Sequence, residues 1–353
     1  MRNPILPLLL ILSVAIPAMA DPVPFVSGSW TLAILPDTQN YAATYPDVFN
    51  AETQWLADNK AAYNLQMVLH EGDVTNNNGA AQWAKAQTSM NKLTAAGIPF
   101  LIAPGNHDYH FTGAAGDVDT RSSRINDYFT PPTKGADPNY DVFESGKLEN
   151  SYRLFSAGGQ DYIAIALEFG PRNEVLDWVD SLLTQYSSRS AMFVTHAYLY
   201  SDDTRYDWAA KGYYQAWNPH SYPIASAPGS TVNDGQEMWS KVLSKHGNVD
   251  FVFNGHVLND GTGRLDSVGV NGNTVHQILA NYQNGVTGMN ATSGYLRLLQ
   301  FLPDGRTVQV LTYSPYHNQW LTDSTNQFTL LVPEPAIMSM LAMGGFTLLR
   351  RKR

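Results

Sequence analysis

Apolar residues recur along this chain in two alternating rhythms. Short, nearly continuous runs cover Trp30 to Leu35, Leu65 to Leu69, Ile98 to Ala103, Tyr162 to Leu167, Ala191 to Thr195 and Asp250 to Phe253. Their length predicts strands. Between them lie longer stretches with helical spacing. Ala51 to Tyr63 sets Trp55, Leu56 and Tyr63 on one side, and Ala80 to Ala96 carries Trp83, Met90 and Leu93. Glu174 to Tyr186 repeats Val175, Leu176, Val179, Leu182 and Leu183 at the same period, and Gln236 to Leu243 follows Asp234, a suitable N-cap. Past Gly255 the helical rhythm stops: Val275 to Ala280, Tyr295 to Phe301 and Thr307 to Leu311 predict strands, with Pro303-Asp304-Gly305-Arg306 as a tight hairpin connection. Strands on both sides of a helix-bearing region predict an α/β fold of two packed mixed sheets with helices outside.

The strand ends carry the chemistry. Four apolar runs are followed by short polar clusters: Pro36-Asp37-Thr38-Gln39, Gly72-Asp73-Val74-Thr75-Asn76, Gly105-Asn106-His107-Asp108 and Asn254-Gly255-His256. A lone His196 follows a fifth run. Strand ends gathered on one sheet edge can deliver such side chains to a single point. Asp73, Asn106, His196 and His256 make a complete nitrogen and oxygen shell for one divalent ion such as Zn²⁺, Mn²⁺ or Fe. Phosphoester hydrolysis uses two such ions about 3.5–4 Å apart. Gly72, Gly105 and Gly255 beside the ligands permit sharp turns and close approach. His107 is suited to donate a proton to a leaving alkoxide, with Asp108 setting its tautomer.

These motifs, in this order, resemble those of the calcineurin-like metallophosphoesterases, from about Leu32 to Tyr316. Pro-Asp-Thr-Gln resembles a subgroup in which glutamine stands where most members carry a metal-binding histidine. Ala280-Asn281-Tyr282-Gln283, Gly294-Tyr295-Leu296-Arg297 and Thr312-Tyr313-Ser314-Pro315-Tyr316 also look like that subgroup. The resemblance implies a four-layer αββα sandwich with a site for two divalent metal ions, Mn, Fe or Zn. It assigns Asp37, Gln39 and Asp73 to the first metal, Asp73, Asn106, His196 and His256 to the second, and proton donation to His107. One position departs: Leu258 stands where the family's last histidine ligates the first metal, which weakens that site, unless Asn259 or Asp260 swings in. Hydrolysis of a phosphomonoester or phosphodiester is therefore the expected activity. The rival is a degenerate surface module that keeps a metal and binds phosphate or polysaccharide with little or no catalysis. Leu258 favours the rival; a retained proton donor speaks against it.

The ends of the 353-residue chain add a location. Arg2, the apolar stretch Ile5 to Ile16 and Ala18-Met19-Ala20 make residues 1–20 a signal peptide, so the domain spans 21–331. Residues 332–353 join Val332-Pro333-Glu334-Pro335 to an apolar stretch, Ala336 to Leu349, and Arg350-Arg351-Lys352-Arg353. This resembles the PEP-CTERM sorting signal of Gram-negative bacteria, which implies processing by a membrane-bound sorting enzyme, transient anchoring, and delivery to the cell surface or matrix. There is no cysteine, so neither disulfides nor thiol chemistry contribute.

Formal charge is −9, and setting aside Arg2 and the four terminal basic residues leaves 17 basic against 31 acidic side chains, a net −14. Such a domain is a poor partner for nucleic acid, and a phosphate substrate must be drawn by local metal charge. Two long segments leave the ligand-bearing edge: Tyr109 to Asn150, and Tyr198 to Gly235, rich in Tyr and Trp. The second is expected either to rim the substrate site or to pack on the domain. The other histidines, His70, His110, His220, His246, His276 and His317, are expected in structural roles, with His110 and His220 nearest the cleft.

Overall fold

The computed structural model describes residues 24–109, 114–284 and 290–332. The expected signal peptide, His110 and all of the expected sorting tail beyond Val332 lie outside the described residues. Among the described residues fourteen strands form two sheets. They are β1 Trp30–Leu35, β2 Leu65–His70, β3 Phe100–Ile102, β4 Tyr140–Val142, β5 Ser151–Ala157, β6 Gln160–Ala166 and β7 Ser190–Val194. The remainder are β8 Val249–Asn254, β9 Thr262–Val268, β10 Thr274–Ala280, β11 Leu296–Phe301, β12 Thr307–Ser314, β13 Gln319–Leu321 and β14 Phe328–Leu331. One sheet runs β13-β12-β11-β1-β2-β3 with β14 also on β12; the other runs β4-β5-β6-β7-β8-β10-β9. Strands β1, β2 and β3 are mutually parallel, as are β6, β7, β8 and β10, and their neighbours are antiparallel.

Period-2 alternation sorts each central strand between two cores. Leu32 and Ile34 of β1 meet Ala164, Met192 and Phe253 of the other sheet in the inter-sheet layer. The helices are α1 Gln39–Ala43, α2 Pro46–Asp58, α3 Ala80–Ala95, α4 Ile125–Tyr128, α5 Asn173–Gln185, α6 Trp208–Lys211 and α7 Gly235–Lys241. Ala33 and Leu35 face outward, onto Val48, Phe49 and Leu56 of α2 and Trp83 and Met90 of α3. On the opposite side Ile163, Ile165 and Phe193 pack against Val175, Val179 and Leu183 of α5 (Asn173–Gln185) and Met238 of α7 (Gly235–Lys241). The result is the four-layer αββα sandwich. Each large apolar side chain buried this way contributes about 1.5–3 kcal/mol relative to exposure.

Element boundaries shift where local chemistry overrides the apolar pattern. Helix α2 starts at Pro46, not Ala51, because proline suits the first helical position and Asp47 the first turn. It stops at Asp58, and the Asn59 side-chain amide donates to the Trp55 carbonyl at 2.9 Å. Asp234 caps α7 through a capping box with Glu237. Strands β4, β5, β9, β13 and β14 were not expected from the apolar runs. In β9 every residue after Thr262 is exposed or half-buried, so this edge strand carries no continuous apolar stretch. Among the described residues no helix is long and apolar enough to cross a membrane.

Candidate metal centre

The C-terminal ends of β1, β2, β3, β7 and β8 lead into Asp37, Asp73, Asn106, His196 and His256. All five side chains are buried, and they meet at one edge of the sandwich. The imidazole Nε2 of His196 is 3.2 Å from Asp73 Oδ1, 3.2 Å from Asn106 Oδ1 and 3.1 Å from His256 Nδ1. Four potential ligand atoms therefore converge. Their tautomers are fixed from behind, because a carbonyl can only accept. His196 Nδ1 donates to the Glu71 carbonyl at 2.7 Å, so in the neutral ring that a metal ion selects Nε2 presents its lone pair. His256 is held the other way round: its Nε2 donates to the Trp217 carbonyl at 2.9 Å and leaves Nδ1 facing inward. Asn106 Nδ2 donates to the Gly116 carbonyl at 3.1 Å, which turns the amide oxygen toward the histidines. Such carbonyl partners are what orient imidazole ligands in metal sites.

Backbone geometry is constrained to match. Asp73 and His256 adopt φ of +46° and +72°, a costly region for residues with a side chain. A Cβ on Gly105 would lie 2.2 Å from Asp73 Oδ1, and one on Gly255 would lie 2.0 Å from Asp37 Oδ1. The glycines thus make room for carboxylates at two strand ends.

Asp37 and Gln39 sit beside this cluster. The Asp37 carboxylate accepts from the His256 backbone N–H at 3.2 Å and from Asn281 Nδ2 at 2.8 Å. Gln39 Nε2 donates to Asp73 Oδ2 at 3.2 Å and to Gln283 Oε1, while Gln39 Oε1 is buried without a partner. Asp73 therefore presents one oxygen to each group. Leu258 lines the same cleft with Gln39, His107, Trp217, Tyr222 and Gln283. Neither neighbour replaces it: Asn259 is exposed and bonded to Ser201, and Asp260 is exposed, its carboxylate accepting from the Thr262 N–H at 3.3 Å.

His107 borders the cleft half-buried, with Nδ1 donating to the Asn76 carbonyl at 2.7 Å, so proton exchange with the cleft must pass through Nε2. The expected role of Asp108 needs correction. Its carboxylate accepts from the N–H groups of Gly105, Val74 and Thr75 at 3.0, 3.0 and 2.8 Å and from the Thr75 hydroxyl. It ties the β2 and β3 loops together, and Asn76 sets the His107 tautomer instead. His70 is likewise structural: buried, it accepts from the Gly72 N–H and contacts the Thr38 hydroxyl, both at 3.1 Å.

The electrostatics call for a cation. Burial, then the charge of Asp73, pushes the Asp37 carboxyl well above the usual range. Burial opposes ionisation of Asp73 too, yet His196 and His107 hold it well below that range. Burial would lower His196, but Asp73 and Asp37 lift it to about 9. Burial and the His196 charge drop His256 to about 3. One imidazole thus gathers positive charge between buried carboxylates, where hard-to-borderline donors suit a divalent metal. The residues present fit such ions.

The long loops serve the site unequally. The 198–235 segment supplies the Trp217 carbonyl and lines the cleft with Trp217 and Tyr222. Tyr198 and Tyr206 belong to the core, whereas Tyr213, Tyr214 and Trp217 are exposed. His220 pairs with Glu237 at 2.6 Å, and His246, His276 and His317 each have structural partners. Asn281 and Gln283 had no assigned role, yet both reach the site.

The family described as calcineurin-like phosphoesterase matches residues 31–260. The uncharacterized protein YvnB of Bacillus subtilis (strain 168) is 30% identical over 311 residues, 84% of this chain and 21% of that protein. The chain thus spans about a fifth of the length of the curated relative it matches. Similar solved structures include a dimetal phosphatase from Danio rerio, at 13% identity and TM-score 0.48, covering 89% of this chain and 100% of that one. The purple acid phosphatase PPD1 of yellow lupin (Lupinus luteus) has 15% identity and TM-score 0.49, covering 88% of this chain and 55% of that one.

Proposed function

The chain belongs to the calcineurin-like phosphoesterases, a metal-dependent hydrolase family, and we propose that it cleaves a phosphomonoester or phosphodiester outside the cytoplasm. The convergence of Asp73, Asn106 and His256 on His196 Nε2, with both tautomers fixed from behind, carries this reading. In it Asp73, Asn106, His196 and His256 hold one divalent ion, and Asp37, Gln39 and Asp73 contribute to the other. Bound there, two such ions would supply Lewis acidity to the phosphate oxygens and to an attacking water. His107 protonates the leaving oxygen through Nε2, while Trp217 and Tyr222 flank the substrate.

A metal-free preparation supplied with Mn²⁺, Zn²⁺ or Fe²⁺ and a mixed panel of mono- and diesters tests the reading. Turnover of at least one ester class is expected. Phosphate binding without turnover under all three metals would leave the binding-module alternative that Leu258 favours.

Leu258 also bears on metal choice. With an apolar side chain at that position, the first ion relies on oxygen donors and favours Mn²⁺ or Mg²⁺ held weakly. Leu258→His is expected to tighten that ion on the order of tenfold and to raise turnover at low metal. Unchanged metal dependence in the variant contradicts this account of the gap.

The exported location rests on the two ends of the chain. Ending the protein just after Val332, which belongs to the inter-sheet core, is expected to leave an active, soluble domain released into the medium, since no described residue beyond Gln283 lines the cleft. Insoluble or inactive truncated protein would mean that the tail is structural rather than a sorting signal.

A further inference from the structure

We infer that Gln283 supplies the oxygen ligand that the first metal ion lacks at Leu258, giving a site of oxygen donors alone: Asp37, Asp73, Gln39 and Gln283. The inference rests on the two-metal reading above and extends it. Gln283 leaves the C-terminal end of β10, as the other ligands leave their strands, and is 5% exposed. Its side-chain oxygen meets the Gln39 amide, which also contacts Asp73 Oδ2 at 3.2 Å. The Gln39 Nε2 group thus lies between two oxygens, while its own Oε1 is buried and unpartnered. Turning that amide over exchanges its nitrogen and oxygen without displacing a neighbour. Three acceptor oxygens, of Gln39, Asp73 and Gln283, then face one another, an arrangement that a shared cation satisfies. As it stands, the NH₂ group occupies the place of that positive charge, and the orphaned oxygen marks the orientation a metal would reverse.

The backbone around Gln283 is fixed accordingly. The Asn281 side chain donates to Asp37 Oδ2 at 2.8 Å and accepts from the Gln283 N–H at 3.0 Å, so one amide positions two of the four ligands. Asn40 Nδ2 donates to the Gln283 carbonyl at 3.0 Å. Leu258 shares the cleft wall with Gln39 and Gln283, so the amides converge where the imidazole is missing. Gln283 is then a ligand and Asn281 a positioning residue.

Elemental analysis and calorimetric titration with Mn²⁺ on the metal-stripped protein test the inference without reference to activity. Wild type is expected to take two equivalents. Gln283→Leu should hold one tightly and recover the second only at Mn²⁺ concentrations at least about tenfold higher, while Gln283→Glu, which keeps an oxygen there, should take two. Asn281→Ala should weaken the second equivalent by about 10–100-fold, the usual cost of losing an outer partner. Two equivalents in Gln283→Leu at wild-type affinity, a single equivalent in wild type, or weaker binding by Gln283→Glu than by wild type would each overturn the inference. If Gln283→Leu does not fold, the Glu and Asn281 variants still decide it. Two Mn²⁺ with the expected variant pattern but no phosphoester turnover would leave the ligand assignment standing and remove the functional reading. Turnover with an unaffected Gln283→Leu titration would do the reverse.

Discussion

His196→Ala is expected to remove most of the tightly bound metal and to lower kcat/KM by more than about 10³-fold, the equivalent of several kcal/mol of transition-state stabilisation. The size follows from where the side chain sits. Its Nε2 is the common neighbour of Asp73, Asn106 and His256, all within 3.2 Å, and its Nδ1 is anchored to the Glu71 carbonyl. Without it the ion loses a strong nitrogen donor and the remaining three groups lose their shared centre. Asn106→Ala should follow the same course more mildly, because an amide oxygen is the weaker ligand. Elemental analysis alongside steady-state kinetics checks both. A His196→Ala protein that is folded, metal-free and fully active is the outcome this assignment forbids.

His107→Ala is expected to separate metal binding from turnover. The ring is hydrogen-bonded to Asn76 rather than to any ligand, so metal content should stay at the wild-type level. Turnover should fall by about 10²–10⁴-fold, the scale of general acid catalysis. The loss should be smaller for esters with good leaving groups, which need no protonation, and largest for alkyl esters. An equal loss across leaving groups would place His107 in substrate binding rather than proton transfer. Asp108→Asn, by contrast, should act on stability: its carboxylate gathers three backbone N–H groups from two loops and does not touch the His107 ring.

Central strands were legible in the sequence because they are buried on both sides and write continuous apolar runs; Trp30–Leu35 matches residue for residue. The edge strand β9 is hidden because every second side chain faces water, and α2 begins at Pro46 because proline and aspartate open it just ahead of the buried pair Val48 and Phe49. Much of the site was legible for the same reason as the strands. Asp73, Asn106, His196 and His256 each follow an apolar run, and the structure brings them together.

What escaped was carried by atoms without a residue signature. The carbonyls of Glu71, Trp217, Gly116 and Asn76 fix the tautomers and the amide, and any residue could have supplied them. Asn281 and Gln283 were findable. They follow the run Val275 to Ala280 just as the other clusters follow theirs, but their nearness to the ligands shows only in the folded chain, where Gln283 meets Gln39 and Gln39 leaves an oxygen unpartnered.

The most direct test of the central claim is a metal titration of the stripped wild-type enzyme, following occupancy and phosphoester turnover on the same samples. No turnover is expected without metal, with onset as the His196 site fills and a further rise at higher Mn²⁺ as the oxygen-donor site fills. Turnover by the metal-free protein, or full occupancy with no hydrolysis of any ester, would contradict that claim.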